Sequence, residues 1–307
     1  MDDAIAIKTI DLSKAFGSVV AVAHLNLEVK GGELFGLVGP DGAGKTTTMR
    51  LLAGVMEPTS GEASVAGFSI RTESESIKER IGYMSQRFGL YEDLTVIENI
   101  HFYADLYGVA KRERPARIER LLGFSNLTPF KTRLAGKLSG GMKQKLGLAC
   151  ALVHTPEVLF LDEPTNGVDP VSRRDFWKIL YDLLREGITI FVSTAYLDEA
   201  ERCRRVGLMH AGELLRIDAP AAIRGSLAFR MFEVWTSDTR GAVDAAREST
   251  GIRSAAAYGD RLHVLVDDPA AVDRLVQRLE TAGINVHARR ERVPSLEDVF
   301  VSMVEGR

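Results

Sequence analysis

The chain has 307 residues, 45% apolar and 26% charged, with 28 glycines, 10 prolines and 2 cysteines. That composition excludes disorder and collagen-like sequence, and the length fits one large domain or two of ordinary size. A formal charge of −3 argues against a nucleic-acid grip, and Cys150 and Cys203 are too few for a disulfide framework or a zinc cluster. No apolar run approaches the roughly 18–20 residues that cross a bilayer. Met1-Asp2-Asp3 is acidic where a signal peptide would be basic. These features predict a cytosolic globular protein.

From the start to about Ala219, short β-branched runs alternate with amphipathic stretches and glycine turns, the pattern of an α/β domain. Leu34-Phe35-Gly36-Leu37-Val38 reads as a buried strand that runs through a glycine turn into a helix reaching Leu51-Leu52. Val158 to Leu161 and Ile188 to Val192 read as two more buried strands, which together suit a parallel sheet covered on both faces. Between them lies a helical insert, roughly residues 88–155. In it Thr95 and Glu98 form a capping box, and Ile97, Ile100, Ala104 and Tyr107 share one helical face. Lys111 to Arg117 reads as a charged, solvated loop.

After Pro220 the pattern changes. Phe229 to Thr236 reads as a strand, Gly241 to Thr250 as a helix, and Ile252 to Asp267 as a hairpin turning at Gly259-Asp260. Val272, Leu275, Val276 and Leu279 mark an amphipathic helix, Ile284 to Val293 a further strand, and Ser295 with Asp298 the cap of a last helix. The order β-α-β-β-α-β is that of a small α+β, ferredoxin-like domain. The expected division is therefore 1–219 and 220–307.

Gly39-Pro40-Asp41-Gly42-Ala43-Gly44-Lys45-Thr46 matches G-x-x-x-x-G-K-[ST], and Thr47 continues it. Dense phosphate charge calls for several backbone N–H groups at once, which side chains would obstruct; hence the glycines. The following helix turns its positive end to the same place. Lys45 would reach the β- and γ-phosphates, and the Thr46 hydroxyl would ligate Mg²⁺. The apolar strand ending at Asp162-Glu163-Pro164 places Asp162 to hold Mg²⁺ and Glu163 to accept a proton from an attacking water. Alone, such an acidic pair often just starts a loop; beside the phosphate-binding loop it points to nucleotide hydrolysis. No Asn-Lys-x-Asp is present to read guanine.

Ser139-Gly140-Gly141, shortly before that strand, makes the resemblance specific: the chain resembles the nucleotide-binding subunit of an ABC transporter, and this segment the ABC signature. Other matching elements follow in order. Phe16 resembles the aromatic residue that stacks on adenine, Gln86 the glutamine that contacts Mg²⁺ and the attacking water, and Asn166 to Asp169 the loop that meets its counterpart across a dimer. The segment Arg87 to Thr95 corresponds to one lying near the membrane subunit. The tail Val293 to Phe300 is similar to the carboxyl-terminal extension of ABC-2 type drug-exporter ATPases. The resemblance implies a P-loop NTPase with a RecA-like core and a helical subdomain at about 88–155. It implies ATP and Mg²⁺ as ligands, and two domains closing head to tail so that each ATP lies between the loop of one and the signature of the other. A permease on a separate chain would do the transport, with this chain on the cytoplasmic face of the membrane.

Three positions depart from the pattern. Met142 replaces the usual signature glutamine and Asp41 the common loop asparagine, both where backbone groups do the main work. Ala195 stands where the family has its switch histidine, and alanine offers no polar group in exchange. Either Glu163, Gln86 and Lys45 suffice and hydrolysis is slower, or this half-site is degenerate and a histidine-bearing partner domain supplies the active one. His24, His101, His154 and His210 fall outside the motif and are expected in surface or packing roles. Two further functions compete with an exporter ATPase. One is a soluble ABC ATPase acting on ribosomes or nucleic acid, which the single ATPase half and acidic charge oppose. The other is a non-hydrolysing ATP-binding regulator, which the intact Asp162 and Glu163 oppose.

Overall fold

In the computed structural model, residues 4–86, 89–226 and 229–305 are described. They divide into two units, Met1–Ala219 and Pro220–Arg307. The amino-terminal acidic residues and Arg87 and Phe88, which begin two of the segments discussed above, lie outside the described residues.

The first unit opens with two long strands, β1 (Ile5–Phe16) and β2 (Val19–Lys30), then β3 (Leu34–Val38) and helix α1 (Lys45–Leu52). Strands β4 (Ser60–Val65) and β5 (Phe68–Ser69), helix α2 (Ser74–Arg80) and strand β6 (Ile81–Met84) follow. Next come three helices, α3 (Val96–Leu106), α4 (Arg114–Phe124) and α5 (Gly140–Ala151). The unit ends with β7 (Val158–Asp162), α6 (Pro170–Arg185), β8 (Thr189–Thr194), α7 (Leu197–Ala200), β9 (Arg205–His210) and β10 (Glu213–Asp218).

Two sheets result. One is antiparallel in the order β2-β1-β4-β5; the other runs β10-β9-β3-β8-β7-β6, with parallel pairing throughout except at the β10 edge. Every residue of β3, β7 and β8 is buried, as a parallel sheet covered on both faces demands. Phe35 stacks on Phe191 at 5.3 Å, and Phe160 meets Phe191 at 5.6 Å, so the three central strands share one aromatic seam. The pairing sets Val38 beside Thr194 and Asp162 beside Ser193. The chain therefore leaves β3, β7 and β8 at the same edge, through Gly39, Glu163 and Ala195. Carboxyl ends of parallel strands are where open α/β sheets bind ligands.

The helical stretch differs from the sequence reading at two points. Arg114–Arg117 belong to α4, because Pro115 sits in its first turn, where a missing N–H costs nothing. Their charges are also held: Arg114 donates to the Val109 carbonyl at 2.8 Å and pairs with Asp105 at 2.6 Å, and Arg117 pairs with Glu113 at 2.7 Å. The solvated loop shrinks to Lys111–Glu113. On α3 the capping box of Thr95 and Glu98 is present, but the fully buried face is Val96, Asn99, Ile100 and Ala104; Ile97 and Tyr107 are only half-buried.

The second unit contains α8 (Pro220–Gly225), β11 (Arg230–Thr236), α9 (Thr239–Arg247), β12 (Ile252–Tyr258), β13 (Arg261–Val266), α10 (Ala270–Thr281), β14 (Val286–Arg292) and α11 (Leu296–Glu305). Its antiparallel sheet has the order β12-β13-β11-β14, the ferredoxin-like arrangement. Val234, Leu262, Val264 and Val266 alternate onto one face and pack against Ala242, Ala246, Val272, Leu275 and Leu279 of the two helices, forming a core of its own. Among the described residues, no helix is long and apolar enough to cross a membrane.

Candidate functional site

The loop between β3 and α1 is shaped by its contacts. A Cβ on Gly39 would overlap the Met209 carbonyl oxygen, and one on Gly44 the Ala21 carbonyl oxygen; Gly44 also has φ +105°, closed to other residues. The loop is tied to its neighbours by Gly39 N–H to the Thr194 carbonyl at 3.3 Å and Gly212 N–H to the Ala43 carbonyl at 3.0 Å. The first N–H groups of α1 have no carbonyl partner within the helix and point back into this turn.

Lys45 is 4% exposed and folds over the loop: its Nζ donates to the carbonyls of Gly39 at 2.7 Å and Pro40 at 3.0 Å, and pairs with Glu163 Oε1 at 3.1 Å. Thr46 Oγ1 donates to Asp162 Oδ1 at 3.1 Å, and Ser193 Oγ donates to the same oxygen at 2.6 Å. Asp162 is buried, and its Oδ2 has no hydrogen-bond partner. A desolvated carboxylate oxygen left open is costly unless a cation or a donor occupies that side, so the donor set fits Mg²⁺ there. Among the described residues no group of three or more His, Cys, Asp or Glu could hold a metal, so the donors observed together are the Asp162 carboxylate and the Thr46 hydroxyl. Mg²⁺ sites of that kind are completed by substrate phosphates and water.

Glu163 leaves β7 with φ +49°, a conformation that costs a non-glycine residue roughly 1–3 kcal/mol. Its N–H is held by Ser193, at 3.0 Å to the hydroxyl and 3.2 Å to the carbonyl. Its carboxylate accepts from Gln86 Nε2 at 3.1 Å and from Asn166 Nδ2 at 3.2 Å, both at Oε2, opposite the Lys45 contact at Oε1. Asp41, Gly42, Ala43, Gly44, Lys45, Thr46, Thr47, Gln86 and Glu163, with Ala21, line one cavity of about 410 Å³. A larger cleft of about 750 Å³, bordered by Ala4, Gly31, Glu157 and Gly187, holds none of the motif residues. Size alone does not select the site.

Other residues singled out in the sequence stand apart from this cavity. Phe16 closes β1 half-exposed, with Lys14 Nζ 5.1 Å from its ring centre. Ser139 caps α5, accepting from Met142 N–H at 3.4 Å, and Gly140 and Gly141 form its first turn. Gly141 lies tight against Ser172 at the start of α6, where the Asp169 carboxylate caps that helix by accepting from Val171 and Ser172. The Ser172 hydroxyl, together with those backbone bonds, holds the Asp169 carboxyl below the usual carboxylate range. Thus α5 and α6 present their amino ends together, and neither end lines the cavity at the loop. Ala195 follows β8, exposed. His154 is packed, stacked on Tyr107 at 3.8 Å and bonded to the Ile81 carbonyl at 2.9 Å.

Three supporting residues were not singled out in the sequence. Ser193 braces both acidic residues of β7. Asn99, fully buried, binds Tyr91 N–H at 2.9 Å and the carbonyls of Tyr91, Leu94 and Thr95, fixing the segment that follows Gln86. Glu199, also buried, accepts from Thr165 at 2.5 Å and Thr194 at 2.9 Å, with Arg173 Nε 3.4 Å away. Nothing in a lone Ser, Asn or Glu signals such a role; it depends on partners brought in by the sheet.

Comparison with known proteins agrees with this fold. The family description "ABC transporter" matches residues 22–166, and "ATP-binding protein DrrA1-3-like, C-terminal domain" matches 219–304. The probable multidrug ABC transporter ATP-binding protein YbhF of Escherichia coli K12 is 46% identical over 289 residues, 93% of this chain but 49% of that protein, so the chain spans about half its length. The bacitracin transport ATP-binding protein BcrA of Bacillus licheniformis is 36% identical over 98% of this chain and 97% of its own. Among solved structures, cbiO1 of Clostridium perfringens superposes with a TM-score of 0.68 at 27% identity, over 73% of this chain and 92% of its own. An ATP-binding cassette solved as a dimer bound to ADP and Pi gives 0.63 at 26%, over 69% and 98%.

Proposed function

The chain belongs to the ATP-binding proteins of ABC transporters, and from that premise we propose that it binds and hydrolyses ATP to drive export through an integral-membrane permease. The observation that carries this reading is the meeting of Lys45, Thr46, Gln86, Asp162 and Glu163 at the carboxyl ends of β3 and β7. The loop N–H groups and Lys45 bind the triphosphate. Thr46, Asp162 and Gln86 would hold Mg²⁺, which supplies positive charge against the phosphate oxygens when bound. Glu163 orients the attacking water and takes its proton at the carboxylate. Its backbone strain and its three side-chain partners aim that carboxylate and limit its freedom. Phe16 would stack on the adenine ring.

Ser139 to Gly141 and Asp169 serve a second ATPase domain. They do not line the cavity that holds Lys45 and Glu163, which supports a site completed when two domains close head to tail. ATP held at such a seam links the two domains until it is cleaved, and that switch moves the permease. Docking to the permease places the chain on the cytoplasmic face of the membrane. The 220–307 unit, with its own core, acts as an accessory domain.

Ala195 leaves the end of β8 without an imidazole, so this half-site turns over slowly, and a histidine-bearing partner domain supplies the faster one. Replacing Ala195 by His is expected to raise turnover of the isolated chain; unchanged turnover would show that the imidazole is not limiting. Purification from detergent tests the wider reading. Recovery of a multi-span membrane protein supports it, and recovery of ribosomal or nucleic-acid components would replace it with a soluble role.

A further inference from the structure

Beside Ala195 stands a residue that the motif does not use. Tyr196 starts α7, and its hydroxyl donates to Asn166 Oδ1 at 3.4 Å. The amide of Asn166 donates in turn to Glu163 Oε2 at 3.2 Å. Bonds that share an amide polarise one another, so the Tyr196 hydroxyl makes Asn166 a better donor to the carboxylate.

The tyrosine is held from behind as well. Its N–H donates to Thr194 Oγ1 at 2.9 Å, and that hydroxyl donates to the buried Glu199 at 2.9 Å. The Arg173 guanidinium lies 4.7 Å over its ring and 3.4 Å from the same Glu199. Glu199 also accepts from Thr165, the residue before Asn166. One buried carboxylate thus anchors both ends of the Tyr196–Asn166 pair, which is more construction than a surface tyrosine needs.

We propose that Tyr196, acting through Asn166, is a positioning residue for Glu163 that takes over part of the orienting work the absent residue-195 imidazole would do. Glu163 Oε1 is taken by Lys45, and Oε2 is shared by Gln86 and Asn166. Loss of the tyrosine hydroxyl frees the amide to turn away and loosens the carboxylate on that side. The inference rests on the reading of Glu163 as the proton acceptor, and its test separates the two.

The variant is Tyr196→Phe, which keeps the ring under Arg173 and removes only the hydroxyl. The chain has five asparagines, so selective ¹⁵N-Asn labelling of the full nucleotide-free chain gives five side-chain amide pairs, with Asn166 identified by its loss in Asn166→Ala. Tyr196→Phe is expected to move the Asn166 pair and leave the other four in place. In steady-state ATP hydrolysis it is expected to lower kcat about three- to tenfold, the worth of one hydrogen bond, with KM changed less than about twofold. The double variant with Asn166→Ala should be no slower than Asn166→Ala alone. An unmoved Asn166 pair overturns the relay, and a moved pair with unchanged kcat overturns its positioning role. Wild-type turnover that survives Glu163→Gln fails the functional reading instead, and the amide spectrum still decides whether the relay exists.

Discussion

Lys45→Met tests how the loop is held in the absence of nucleotide. Methionine keeps most of the volume and removes the ammonium, with its bonds to the Gly39 and Pro40 carbonyls and its ion pair with Glu163. Removing one partner of a buried pair costs about 3–5 kcal/mol when the other charge is left alone. Glu163 keeps the donors Gln86 and Asn166, which brings the expected loss down to about 2–3 kcal/mol. For a unit of this size, about 2–4 °C accompanies each kcal/mol, so the melting temperature should fall by about 4–12 °C. Trp177 is fully buried in the first unit, and the other tryptophan, Trp235, lies in the second. In a Trp235→Phe background, fluorescence therefore follows the first unit alone. Adding Glu163→Gln removes the stranded charge and should recover roughly half the loss, a coupling on the order of 1 kcal/mol. An unchanged melting temperature for Lys45→Met, or a double variant equal to the sum of the singles, would refute this account of the loop.

Two further outcomes follow from the packing. A Cβ at Gly141 would overlap the Ser172 side chain, so Gly141→Ala should push apart the amino ends of α5 and α6. Turnover should fall at least about tenfold while a fluorescent ATP analogue binds the single chain within about twofold of wild type, because the loop is untouched. The second outcome concerns pH. Burial, with a smaller contribution from the charge of Arg117, lowers the His154 pKa below its ordinary 6.5, against the opposing bond to the Ile81 carbonyl. The unfolded chain then takes up the proton more readily than the native one. The stability from neutral His154 is whole above about pH 6.5 and is lost as pH falls through the folded value. Urea unfolding at pH 7.5 and 5.5 should show a larger drop for wild type than for His154→Phe; equal drops would contradict it.

The elements that could be read from the chain were those whose cause is local. The buried run Leu34–Val38, the glycine spacing before Lys45, the capping box of Thr95 and Glu98, and the alternation in the second unit each carry their reason within a few residues. The acidic end of β7 was legible because a strand must bring its last residue to the ligand edge. What stayed hidden were roles created by pairing across the sheet. Ser193 matters because β8 runs in register with β7, and Glu199 matters because Thr165, from the turn after β7, and Thr194, at the end of β8, both reach it. Asn99 is buried because four backbone groups of the segment 91–95 converge on its amide. The charged stretch around Arg114 was misassigned for a related reason: its charges meet Asp105, Glu113 and backbone carbonyls, partners that a count of charges does not show.

The central claim is that Glu163, held by Lys45, Gln86 and Asn166, takes the proton in ATP hydrolysis. Phosphate release by the purified chain, compared between wild type and Glu163→Gln alongside ATP affinity, tests it most directly. The account predicts that the amide loses turnover by at least about 10²-fold, the usual worth of a positioned base, while ATP binds as tightly as before. Equal turnover in the two proteins would contradict it.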